Sequence, residues 1–150
     1  MRYFIKLAYK GTNYFGWQYQ PDAISVQETL NKALSTLLKT NIDILGAGRT
    51  DSGVHAKEMF AHFDYETEID TQKIVYKLNS FLPKDIAIFD LIKVHDDAHA
   101  RFDATKRTYE YHIHTKKNAL QINFFAISLG YEIQISVFLW QISGVELRFG

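Results

Sequence analysis

Apolar residues recur at every second position through residues 2–9, with Tyr3, Ile5, Leu7 and Tyr9 on one face, which predicts a half-buried strand. Lys10, Gly11, Thr12 and Asn13 are turn material, and the aromatic run YFGWQYQP at residues 14–21 has no clean period. Ser25 to Glu28 is a capping-box pattern, in which Ser25 can accept from the Glu28 amide and Glu28 can reach back. Leu30, Ala33, Leu34, Leu37 and Leu38 follow at helical spacing, so the pattern predicts an amphipathic helix over residues 25–39.

Residues 54–65 read as a second strand. Asp70 can cap a second helix whose apolar stripe is Ile74, Leu78, Phe81 and Leu82, and Pro83 stands where that helix should stop. Residues 86–94 are a strongly apolar third strand. Residues 107–114 alternate cleanly, with Tyr109, Tyr111 and Ile113 against Thr108, Glu110, His112 and His114, as a fourth. The order βαβ then αββ predicts an α+β fold, an antiparallel sheet with helices on one face, in the ferredoxin-like group. From residue 121 to 150 only Glu132, Glu146 and Arg148 are charged. That apolar, β-branched stretch reads either as strands closing the sheet or as a poorly soluble tail, since low charge with high β-propensity favours aggregation.

Composition narrows the class. With 150 residues, 47% hydrophobic and 23% charged, the chain has the size and balance of one globular domain. It holds no cysteine, which excludes disulfides and thiolate metal sites. The N-terminus lacks the apolar run of a signal peptide and no stretch reads as a membrane span, so a cytoplasmic location without membrane attachment is the expectation. Lys+Arg and Asp+Glu balance at 17 each, so charge gives no global support to nucleic-acid binding, although Arg101, Lys106 and Arg107 cluster locally.

The densest unusual chemistry is GAGRTDSGVHA, residues 46–56. Its glycines have the wrong spacing for a dinucleotide loop and no P-loop lysine follows. Asp51 and His55 stand four apart, but Gly53 between them argues against a helix that would align them on a metal. His112 and His114 share a strand face, a pattern more often solvated than ligating; no metal is expected. An aspartate flanked by Thr50, Ser52 and Gly53 can be a plain Asx turn, the commoner reading on spacing alone. The other reading is catalysis, with glycines that let a ligand approach the backbone and Arg49 placed to keep the Asp51 carboxylate ionised by charge attraction.

GAGRTDSGVHA strongly resembles the active-site segment of the TruA family of tRNA pseudouridine synthases. YFGWQYQP, SVQETLNKAL, NSFLPKDIAI and DDAHARFDATKRTYEYHI resemble further blocks of that family in the same order, over residues 1 to about 117. The resemblance implies the pseudouridine synthase fold and an isomerase that converts uridine to pseudouridine in the anticodon stem-loop of tRNA by base flipping. Asp51 then matches the essential aspartate, Arg49 the arginine that positions the flipped nucleotide, and Tyr109 the tyrosine that packs on the target base. It further implies no cofactor, tRNA as partner, and a homodimer with tRNA lying across both subunits. Whether the carboxylate attacks C1′ or removes the 2′ proton stays open. Arg101, Lys106 and Arg107 are candidate phosphate contacts. Trp17, with Tyr14, either docks RNA or packs the first helix, packing being the more common role. His99 and Phe102 are expected to shape the loop near the site.

Without the family match, Tyr109 reads as core beside Tyr111 and Ile113. The family builds its catalytic domain from two similar halves with the site between them, and residues 121–150 match no block of the second. The expected organisation is therefore the N-terminal half at 1–117 and an atypical tail at 118–150, truncated or shifted in frame near residues 119–121. The alternative reading is a catalytically inactive RNA-binding fragment.

Overall fold

The computed structural model describes the backbone of residues 1–114, 125–126 and 134–141, and side chains through Tyr109. In chain order the elements are β1 (Arg2–Tyr9), a 3-10 turn (Gly11–Asn13), α1 (Val26–Leu38), β2 (Leu45–Gly46), β3 (Ala56–Asp64), α2 (Thr71–Phe81), β4 (Ile86–Val94), β5 (Thr108–His114), β6 (Phe125–Ala126) and β7 (Gln134–Gln141). The fold is α+β, as the pattern predicts. β3 starts two residues later than its apolar run suggests, because Val54 closes a turn by donating its N–H to the Asp51 carbonyl at 3.2 Å.

β1 lies between β3 and β4 and is antiparallel to both. The strand order is β4-β1-β3-β7-β5, with β2 added on β3 and β6 on β7. β5 and β7 pair antiparallel, and β7 meets β3 through a parallel bridge between Glu58 and Gln141. Most of the tail from residue 118 on lies outside the described residues, as do the side chains of Tyr111, His112, Ile113 and His114.

One sheet face forms the main core. Tyr3, Ile5 and Leu7 stand opposite Phe63, Ala61 and Met59, all of them buried. Leu30 and Leu34 of α1 and Leu78 of α2 belong to the same buried cluster. Each such Leu or Ile stabilises by roughly 1.5–3 kcal/mol on burial, so this layer dominates the stability of the fold.

The helix ends follow their caps. Ser25 Oγ accepts the Glu28 N–H at 3.2 Å, but the Glu28 carboxylate does not reach back; it pairs with Lys32 at 2.6 Å, one turn along. Asp70 accepts the Lys73 N–H at 3.0 Å and starts α2. That helix ends at Phe81, with Leu82 extended ahead of Pro83, as pre-proline sterics require. Phe81 is 54% exposed rather than core. Leu82, four residues beyond Leu78, takes the inward position and leaves Phe81 about 100° round the helix from it.

The opposite sheet face is also buried, which the sequence pattern of β3 does not reveal. Phe4, Phe60 and His62 are covered there; His62 packs beside Phe4, and the segment 95–103 lies across His62. His62 Nδ1 accepts the Ala100 N–H at 3.2 Å, and its ring meets His99 at 4.5 Å edge-on. Arg2 forks onto Asp64 with two bonds of 2.8 Å and donates Nη1 to the Ala98 carbonyl at 2.9 Å. Burial, reinforced by the positive charge of Arg2 and the neighbouring His99, pushes His62 down to about 4. It is therefore neutral at ordinary pH and free to act as an acceptor.

Candidate functional site

Asp51 is exposed on the turn joining β2 to β3, and both sides of that turn are fixed by a second loop, residues 11–17. Trp17 donates its N–H to the Thr50 carbonyl at 3.1 Å, and Gly53 donates its own to the Tyr14 carbonyl at 3.1 Å. Gly11 donates its N–H to His55 Nδ1 at 2.8 Å, and Tyr9 shares a buried 2.9 Å hydrogen bond with Thr50 Oγ1. Burial, with the charge of Lys10, lowers the His55 pKa and leaves Nδ1 available as the acceptor. Burial pushes the Tyr9 hydroxyl up, so it stays protonated.

The 11–17 loop is anchored in turn. Tyr14 donates its hydroxyl to Asp85 at 2.7 Å, and α1 begins directly on the loop, with Val26 bonded to the Gly16 carbonyl and Gln27 to that of Trp17. Gly16 has φ +87°, and a Cβ there would collide with the Thr50 carbonyl oxygen. Only glycine combines that left-handed conformation with so close an approach. The aromatic run without a period is thus a cradle for the aspartate turn, and no periodicity argument could have found it.

A cleft of about 180 Å³ opens beside this turn. Trp17, 2% exposed, lies against the backbone of Gly46, where any side chain would strike the indole. Its role is packing, with one edge reaching the cleft. Arg49 forms one side of the cleft; His99, Arg101 and Phe102 form the other. Arg107 ties the two sides together by donating Nη2 to the carbonyls of Ala47 at 3.2 Å and Arg101 at 2.8 Å.

The structure therefore gathers Arg49, Arg101 and Trp17 around one opening, braced by Arg107. Asp51 lies two residues from Arg49 but is not among the lining residues, and no ion pair joins the two among the described residues. Lys106 is exposed, and Tyr109 is 49% exposed at the start of β5. Tyr109 is thus no core residue, which alternation alone would have made it. No group of three His, Asp or Glu side chains fit to hold a metal occurs among the described residues, and no described helix is long and apolar enough to cross a membrane.

Comparison with known proteins adds a direct finding. The sequence profile of the tRNA pseudouridine synthases matches residues 6–103. The chain is 59% identical over 117 residues to tRNA pseudouridine synthase A of Bacteroides fragilis, covering 77% of the chain and 46% of that relative. It is 59% identical over 116 residues to the protein of that name from Bacteroides thetaiotaomicron (77% and 43% covered), and 45% identical over 117 residues to that from Haemophilus ducreyi (78% and 45%). The chain thus spans about half the length of the curated relatives it matches.

Proposed function

Because the chain belongs to the tRNA pseudouridine synthase family, we propose that it carries the N-terminal half of a catalytic domain that isomerises uridine to pseudouridine in the anticodon stem-loop of tRNA. The observation that carries this reading is the presentation of Asp51: an exposed carboxylate on a turn held by backbone hydrogen bonds on both sides, next to a cationic cleft. Such a turn costs little reorganisation when a nucleotide arrives.

The chemistry asks little else of the protein. The N1–C1′ bond breaks, the uracil turns while held, and a C5–C1′ bond forms; the C5 hydrogen leaves as a proton and N1 gains one. Asp51 starts the sequence, either by attack at C1′ or by taking the 2′ proton. The target uridine must leave its stem to be reached, and the half-exposed ring of Tyr109 offers a face on which it can stack. Arg49 steadies the extruded nucleotide, and Arg101 and Lys106 attract phosphates. A homodimer in the cytoplasm, with tRNA across both subunits and a second half closing the cleft, completes the proposal; residues 1–117 are the first half.

A second reading rests on the coverage. A chain matching only 46% of a relative can hold Asp51 in place and still act as an RNA-binding fragment without turnover. Incubation with unmodified tRNA tritiated at uracil C5 separates the two. Tritium release above that of Asp51→Ala is the expected result. Release equal to that of the variant, with a salt-sensitive tRNA gel shift retained, would leave the fragment reading.

A further inference from the structure

The cleft beside Asp51 has a chemistry of its own. Phe102 is 78% exposed, and its ring is backed by His99 at 4.2 Å between centroids. Arg101 on the same loop and Arg49 on the aspartate turn supply two guanidinium groups, and no carboxylate is among the described residues that line the opening. Gly46 and Gly48 add no side chain of their own to the lining, and the Trp17 indole packs on Gly46. At about 180 Å³ the cleft is smaller than the roughly 300–1,000 Å³ of pockets that hold drug-sized ligands, and takes one planar group.

The Phe102 loop is also set in advance. Asp103 accepts the His99 N–H at 2.7 Å and returns its own N–H to the His99 carbonyl at 2.9 Å. His99 Nδ1 accepts from the backbone of Arg101 at 3.2 Å, and Arg107 fixes the Arg101 carbonyl to the opposite wall. An exposed aromatic ring held rigid between cations is the arrangement that binds unpaired nucleotides, through stacking on one group and phosphate attraction to the others.

We propose that this cleft is a second nucleotide site, separate from the position served by Asp51, which takes one unpaired base of the RNA stacked on Phe102 with its phosphate held by Arg101. The proposal extends the tRNA reading and rests on it for the identity of the ligand as RNA.

The test measures binding of a fluorescein-labelled uridine tetranucleotide to the full chain by anisotropy, at several salt concentrations. Phe102→Ala should weaken binding about tenfold and Phe102→Tyr should restore it, because a base stacked on an aromatic ring contributes roughly 1–3 kcal/mol. Arg101→Ala should reduce the slope of log affinity against log salt by about 0.7, the loss of one phosphate contact on a single strand. Circular dichroism should be unchanged, since the Phe102 ring is mostly in solvent. Unaltered binding by Phe102→Ala, or no binding by the wild-type chain, overturns the site. If tritium release from tRNA persists in either of those cases, only the second site falls. Phe102-dependent binding without any release keeps the site and removes the isomerase reading for this chain.

Discussion

Acid should weaken this protein well above the range in which its carboxylates titrate, and His62 is the reason. The imidazole is 2% exposed, accepts the Ala100 N–H through Nδ1, and lies near Arg2 and His99. Its pKa falls from 6.5 to about 4 on folding, burial being the largest cause, with Asp64 and Asp103 opposing the fall. Between those values the unfolded chain binds the proton that the folded one refuses, so stability is lost as pH drops from 6.5 toward 4. At about 1.4 kcal/mol per pH unit the full effect is about 3 kcal/mol, of which about 2 kcal/mol is already lost near pH 5. The pKa of Asp64, lowered chiefly by its bond to Arg2, keeps that carboxylate ionised at pH 5 and out of the comparison. His55 shifts in the same direction, so the measurement must be a difference. Urea unfolding at about pH 7.5 and about pH 5 should show the wild type losing about 2 kcal/mol more than His62→Gln, whose amide oxygen can accept the same N–H without titrating. Equal losses in the two proteins would refute the claim that a neutral His62 holds the 95–103 segment to the sheet.

Two further substitutions probe the cradle of Asp51. Gly16→Ala should destabilise by about 2 kcal/mol or more in thermal or urea melts, because φ +87° is strained for alanine and its methyl would strike the Thr50 carbonyl. Near-wild-type stability would mean that the two loops separate easily. Tyr9→Phe keeps the ring packed near Trp17 but leaves the Thr50 hydroxyl without its partner, and should cost about 1–3 kcal/mol by the same melts. A cost below about 0.5 kcal/mol would show that this buried hydrogen bond contributes nothing net.

Much of the frame was legible because local rules and burial agree there. Tyr3, Ile5, Leu7 and Tyr9 alternate and are all buried; Ser25 and Asp70 cap the helices they announce; Pro83 follows the end of α2. Legibility fails where one residue serves two neighbours. His62 is buried on the second face of β3 because a loop nearly forty residues later covers it, which no alternation within β3 encodes. Trp17 stays open between RNA docking and packing until the indole is found against Gly46. Arg107 reads as a phosphate ligand in a basic cluster, yet two carbonyl groups already hold its guanidinium. The family resemblance singled out Asp51, which the structure leaves exposed on its turn, while the pairing expected with Arg49 is not formed among the described residues. Adjacent charges in a sequence do not face each other when the backbone turns between them.

The hydrogen bonds that join residues 11–17 to residues 50–55 bear on how this site could be moved. GAGRTDSGVHA is not a portable cassette. Transferred alone to another scaffold, it would lose the Tyr14 carbonyl, the Trp17 and Gly11 amides and the Tyr9 hydroxyl that set its shape. A graft that kept Asp51 in register would have to carry the end of β1, the aromatic loop and the first turn of α1 as well. The transplantable unit is two chain segments, one running from the end of β1 through the aromatic loop into α1 and the other the motif itself, discontinuous in the chain and continuous in space.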